Sequence, residues 1–200
     1  MKAPAYRRSE PDARRRSLIE ACMRVLGRQG ASGASVRAIA AEAGVSPGLV
    51  NHYFDGVDAL VAECYAETDR MVTEHLATAV EAAGDDPRAR LAAFVTGSFA
   101  SPIASPDLLA TWIAFWSLVA ARPEIAARHE THYASFRARL EALLAACGVP
   151  AATLRATAIG VTALVDGLWL ELCLSPDQFD PAEADAIARR FLDAVIAPGG

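Results

Sequence analysis

Between positions 46 and 53 the chain holds a run whose side chains suit the reading of DNA: Ser46, Pro47, Gly48, Leu49, Asn51, His52 and Tyr53. Leu49 can meet a thymine methyl group, while Asn51 and His52 can bond base edges. Tyr53 suits a phosphate. Upstream, Ser35 and Arg37 suit the sugar–phosphate backbone, where contacts position a protein without reading sequence. Helix N-termini add free N–H groups and a favourable dipole for phosphate.

A second constellation is aromatic. Trp112, Phe115 and Trp116 stand close together, Tyr133 and Phe136 follow, and Trp169 stands near Asp166. Aromatic faces hold a quaternary ammonium by cation–π attraction, and Asp166 or Glu171 can supply the balancing charge. A cationic-effector pocket lined by Trp112, Phe115, Trp116, Tyr133, Asp166 and Trp169 is therefore one reading. The plainer reading is core packing, since Trp112 and Trp116 are spaced i,i+4. His129 and His132 have an i,i+3 spacing that a metal could use, yet no third ligand is identifiable and a solvated helix face is the simpler account. No glycine-rich phosphate loop, nucleophile elbow or Ser/His/Asp arrangement is legible. The expectation is no enzyme, no cofactor and no metal.

These residues need elements to hold them, and the punctuation predicts helices throughout. Asp12 is placed as the cap of a first helix ending before Gly30, with Leu18, Cys22, Val25 and Leu26 as its apolar stripe. Ser35 caps a short helix over 36–43 that Gly44 stops. Ser46 caps the next, with Pro47 at its first position. Val36, Ile39, Ala40, Val45, Val50 and Phe54 point inward. Two short helices joined by a tight glycine turn make a helix-turn-helix, and the second of them enters the major groove. After Asp55-Gly56, helices are expected over 57–83, 88–100, 107–121, 124–147, 151–174 and 182–196. The fold class is thus all-α, with about nine helices: an N-terminal three-helix DNA-binding domain (1–56) joined to a helical-bundle effector and dimerisation domain (57–200).

Charge agrees with that division. The chain carries a formal net charge of −5, but residues 1–60 hold nine Arg/Lys against six Asp/Glu, and the remainder is acidic. A basic end on an acidic body suits nucleic acid at that end. The four cysteines show no CxxC pairing, and no apolar leader opens the chain, which points to a reducing cytoplasm. The apolar run over 157–174 is interrupted by Asp166 and Glu171, which favours a buried helix over a membrane span.

The stretch from Arg15 to Leu60 resembles the DNA-binding domain of TetR-type repressors. Within it, GVSPGLVNHYF (44–54) is particularly similar to BetI-type repressors of the choline and glycine betaine pathway. TWIAFWSL (111–118) and ALVDGLWLELCLS (163–175) resemble the regulatory half of that subgroup. The resemblance implies a double-stranded palindromic operator, matching a two-fold dimer, and a small-molecule effector. It implies a homodimer through helices at about 151–174 and 182–196. Ala158, Gly160, Ala163 and Gly167 would allow close approach there, and Leu164, Leu168, Leu172, Ile187, Phe191 and Val195 would supply apolar contact. It further implies that effector shifts the fourth helix, changes the spacing of the two readers and lowers DNA affinity. Choline or a related amine is the expected effector, and an apolar lipophile or drug is the alternative. One position departs from the pattern. The family carries a phosphate-binding lysine three residues after the recognition-helix phenylalanine, and here that position is Val57. Arg7, Arg8, Arg14, Arg15 and Arg16 are the candidates to compensate.

Overall fold

Pro11 is tolerated only in the first turn of a helix, so the helix that contains it starts just ahead of it. The computed structural model describes residues 9–196, and the first helix, α1, spans Ser9–Gly33. Asp12 therefore lies inside the helix and does not cap it. Gly30 breaks α1 with φ 66° and ψ −174°, where the sequence places the helix end. The chain continues through α2 (Val36–Glu42), α3 (Pro47–Tyr53), α4 (Gly56–Ala82), α5 (Pro87–Thr96), α6 (Pro106–Val119), α7 (Pro123–Ala146), α8 (Ala151–Leu174) and α9 (Pro181–Ile196). No strand occurs among the described residues. The expected helix over 88–100 ends early and tightens into a 3-10 turn, Gly97–Phe99. A Cβ at Gly97 would lie 2.9 Å from Leu76 Cδ2, so a larger residue at that turn would require the Leu76 side chain to shift.

The chain packs as two compact units. One comprises the residues up to Thr68 with Ala110–Arg128, and the other Asp69–Leu109 with the residues from His129 onward. The division runs through α4, α6 and α7. In the first unit the predicted stripe of α1 is the core: Leu18, Cys22 and Leu26 are fully buried. Ile39, Val50 and Phe54 close on it from α2, from α3 and from the residue after α3. Tyr65 of α4 meets Trp112 and Phe115 of α6 with ring centroids 5.3 and 4.8 Å apart. Cys22 and Cys64 are free and buried, behaving as small hydrophobes.

In the second unit Leu76 and Val80 of α4 join Leu91 and Phe94 of α5 and Leu140 and Leu144 of α7 in the core. α8 contributes Val161, Leu168, Trp169 and Leu172, and α9 contributes Ala184, Ala188 and Leu192 at helical spacing. By length and composition α8 passes the test for a membrane-crossing helix. It carries Asp166 in mid-helix, however, and that carboxylate is bonded by Tyr133 within the unit.

Candidate DNA interface and effector site

Ser35 starts α2 as the sequence requires. Its backbone is extended, and its Oγ accepts a hydrogen bond from the Ala38 N–H at 3.1 Å. Gly44 follows α2 with φ 66°, and the Val45 N–H donates back to the Ala40 carbonyl at 2.9 Å, which fixes the turn. Ser46 precedes α3 with extended backbone, but its side chain makes no capping bond. Pro47 has no N–H to offer, and the Leu49 N–H is taken by the Ser46 carbonyl itself at 3.0 Å. The expected cap at Ser46 is thus a backbone one, and the hydroxyl stays on the surface.

With Val50 and Phe54 buried, the other side chains of this helix turn outward. Ser35, Arg37, Ser46, Pro47, Gly48, Asn51 and His52 are exposed, and Leu49 and Tyr53 are half-buried. The His52 and Tyr53 rings meet edge to face with centroids 5.3 Å apart. A Cβ at Gly48 would approach only Ser46 Oγ, at 3.9 Å, so no contact inside the protein requires glycine there. Ion pairs brace this region. Arg24 bonds Glu42 at 2.5 Å, and Arg28 lies 3.7 Å from it. The Arg24 hydrogen bond holds the Glu42 carboxyl below its usual range. Arg15 stacks over Phe54 at 4.9 Å and pairs with Glu63 at 3.1 Å. Arg14, Arg15 and Arg16 are therefore helical residues, and Arg15 is already engaged. Arg7 and Arg8 lie outside the described residues. Val57 is half-buried in the first turn of α4.

The aromatic constellation divides. Trp112, Phe115 and Trp116 belong to the first unit, and Tyr133, Asp166 and Trp169 to the second. Trp112 and Phe115 are buried in mutual edge contact at 5.8 Å, which is packing of the core. Trp116 is half-buried, and its Nε1 has no partner among the described residues. Trp169 is buried, and its indole N–H donates to the Ser98 carbonyl at 2.9 Å. Tyr133 and Asp166 come together directly: the phenol donates to the carboxylate at 3.0 Å.

Burial pushes the Asp166 carboxyl up to about 6, against the pull of the Tyr133 hydroxyl and of the charges on His132 and Arg137. A buried carboxylate so destabilised gains from any cation placed beside it. Around it lie groups that the sequence pattern did not single out. His129 stacks on Tyr133 at 4.2 Å, and His132 pairs with Asp69 of α4. His132 is half-buried, so it is not the solvated face expected of it. Burial is the largest single influence and pushes the Asp69 carboxyl up, but the His132 hydrogen bond and charge together with the Thr73 hydroxyl outweigh it and hold the carboxyl low. Nearby a cavity of about 180 Å³ is lined by residues that include Phe94, His132, Phe136 and Arg139. Asp69 carried no signal in sequence, because its partner lies 63 residues away. No group of three or more metal-type ligands occurs among the described residues.

Two family descriptions match the chain. Residues 18–64 match the bacterial regulatory proteins of the tetR family, and residues 87–197 match the C-terminal part of BetI-type transcriptional repressors. The HTH-type transcriptional regulator BetI of Paraburkholderia phytofirmans is 33% identical over 189 residues, 93% of this chain and 95% of that one. The protein of the same name in Burkholderia thailandensis is 34% identical over 187 residues, covering 94% and 95%. Among solved structures, a transcriptional regulator of Pseudomonas aeruginosa PAO1 is 41% identical with a TM-score of 0.85, covering 96% of this chain and 95% of that one. A regulator of Saccharomonospora viridis solved with choline has a TM-score of 0.82 at 18% identity, covering 91% and 96%, a likeness of fold.

Proposed function

Because the chain belongs to the TetR family of bacterial transcriptional regulators, with a BetI-type C-terminal half, we propose that it is a homodimeric repressor released from its operator by a small cationic amine such as choline. DNA recognition is assigned to α3 and its approaches. Leu49, Asn51 and His52 read bases, while Ser35, Arg37, Ser46 and Tyr53 hold phosphates, and Pro47 and Gly48 let the duplex approach closely. Exposure of all these residues, or half-exposure for Leu49 and Tyr53, supports the assignment. The functional division falls at 56/57, with DNA binding before it and effector binding and dimerisation after it. The operator is double-stranded and palindromic, matching a two-fold dimer whose half-sites lie about one helical turn, or a multiple of it, apart.

The observation that carries the effector assignment is the Tyr133–Asp166 pair. A partly buried carboxylate with a raised pKa is stabilised by an ammonium, and its neighbourhood is aromatic. Trp169 is kept as a candidate lining residue; Trp112, Phe115 and Trp116 belong to the other unit, where Trp112 and Phe115 act through packing. α4 begins directly after the reader and carries Asp69, so its displacement is the route by which effector lowers operator affinity. Effector must bind the released state better for this to work. The choline seen with the Saccharomonospora viridis regulator supports testing that amine first. The site of action is the cytoplasm, without membrane attachment, and no catalytic step, cofactor or metal enters the function.

Calorimetry with choline, betaine aldehyde and glycine betaine tests the effector, alongside gel shifts on the protein's own upstream region at low salt. Choline binding that disappears in Asp166→Asn, with choline weakening the shifted complex, is the expected outcome. Response to neutral lipophiles alone would reject the amine. No retention of DNA even at low salt would reject the operator assignment, since phosphate-driven binding strengthens as salt falls.

A further inference from the structure

We propose that the DNA reader carries a small-molecule site of its own, distinct from the effector site proposed at Asp166, which takes a compact apolar molecule bearing one cationic amine. The site is a cavity of about 290 Å³ lying wholly within the first unit. That volume is at the lower end of the roughly 300–1,000 Å³ range of small-molecule pockets. Its lining brackets the helix-turn-helix in sequence. Ala34 immediately precedes Ser35, and Val57 and Asp58 follow Phe54 after one short turn. The end of α6 and the start of α7 complete it through Leu118, Arg122 and Glu124.

The chemistry of the lining chooses the ligand. Ala34, Val57 and Leu118 make an apolar wall, which favours a compact hydrocarbon body. At the rim Arg122 and Asp58 form an ion pair and offset each other. Glu124 has no ion-pair partner among the described residues, so the rim is left one negative charge in excess. An ammonium is attracted there and a carboxylate is not. Val57 contributes to this selectivity, because a lysine in its place would add a cation to the wall. The location chooses the effect. A molecule in the cavity touches both chain segments that attach the reader, just before Ser35 and just after Phe54. By favouring one placement of those segments it changes operator affinity by its differential affinity for the two placements.

The full-length protein carrying Asp166→Asn, which disables the proposed choline site, is titrated by calorimetry with 4-phenylbutylamine, 4-phenylbutanol and 4-phenylbutyrate, and operator affinity is followed by fluorescence anisotropy. The amine is expected to bind tighter than the alcohol, and the alcohol tighter than the acid, with a change in operator affinity on amine binding. Leu118→Trp fills the cavity and abolishes binding. Val57→Lys weakens the amine at least tenfold and the alcohol much less. Should Leu118→Trp lose its helical circular dichroism, Val57→Lys, at a half-exposed position, decides alone. Amine binding that persists in this Asp166→Asn background separates this cavity from the choline site. The proposal is overturned if none of the three probes binds, or if the acid binds as well as the amine. It is equally overturned if the amine fails to bind in the Asp166→Asn background, or if its binding there survives Val57→Lys intact or leaves operator affinity unmoved.

Discussion

In the proposed effector site, Asp166 would tie effector affinity as well as stability to pH. Its carboxyl ionises near 6 in the folded chain because burial disfavours the charge. Only the ionised form attracts an ammonium. Choline affinity is therefore expected to be constant above about pH 7 and to fall as pH drops below 6, by up to about tenfold per unit. Calorimetry across pH 5–8 measures this, and a flat profile would remove Asp166 from the site. The stability sign is opposite to that of a carboxylate paired in the native state. Well below about pH 4 the group is protonated in both states and costs nothing. As pH rises towards 6 the unfolded chain releases its proton first, so stability falls. Asp166→Asn should then stabilise the effector-free protein above pH 6 by up to about 3 kcal/mol, with the effect vanishing well below the unfolded-state value of 3.8. Gly48 offers a second contrast at this scale. Gly48→Ala meets nothing within the protein, so thermal stability should stay level or rise by at most about 1 kcal/mol. Operator affinity should nevertheless fall, because the new methyl stands where the duplex must approach. Anisotropy that shows unchanged affinity would take Gly48 out of the interface.

The short helices of the reader depend on their ends. α2 and α3 have seven residues each, too short to be stable without caps and packing. Ser35→Ala removes the Ala38 N–H bond and is expected to cost about 0.5–2 kcal/mol, visible as faster amide exchange in α2. Ser46→Ala should cost less, since its hydroxyl makes no capping bond. If the two substitutions destabilise equally, this account of the caps fails. On the same element, His52→Ala should cost about 1–3 kcal/mol of operator binding, concentrated at particular base pairs. Arg37→Ala should weaken all sequences alike and reduce the salt slope by about one. Helix positions, stops and the inward set Ile39, Val50 and Phe54 were legible in sequence because each is governed by neighbours within a turn or two. Asp12, Ser46 and the tightening at Gly97 were not, because they depend on an early proline, a competing carbonyl and a side chain of another helix.

For the whole molecule the surface of α8 is informative. Ala156, Ile159, Ala163, Gly167, Leu170 and Leu174 are exposed at spacings of three and four, and Phe191 of α9 is exposed as well. An apolar stripe of this kind on a surface marks a contact site. The sequence named this helix pair for dimerisation, but several of its chosen side chains face the other way. Ala158, Leu168 and Leu172 are buried in the chain's own core, while Ile159, Leu170 and Leu174 carry the exposed stripe. Gly160 lies under Phe191, whose ring would be 3.9 Å from an added Cβ. Ile159→Arg and Leu170→Glu are expected to give a folded monomer by sedimentation, with operator affinity reduced by at least tenfold through loss of the second half-site. A dimer that persists in the double variant would move the interface elsewhere.

Helix order, the three-helix reader and the family were set by the sequence alone, because periodicity, caps, glycine stops and the 44–54 motif are local signals. Tertiary structure decided which aromatics serve packing and which meet a carboxylate. It buried Trp112 and Phe115 together, tied Trp169 to Ser98, and gave Tyr133 to Asp166. It also paired His132 with Asp69 and chose which face of α8 stays outside. A helix with apolar residues on more than one face does not announce which face its own core will take, and partners tens of residues apart leave no periodic trace.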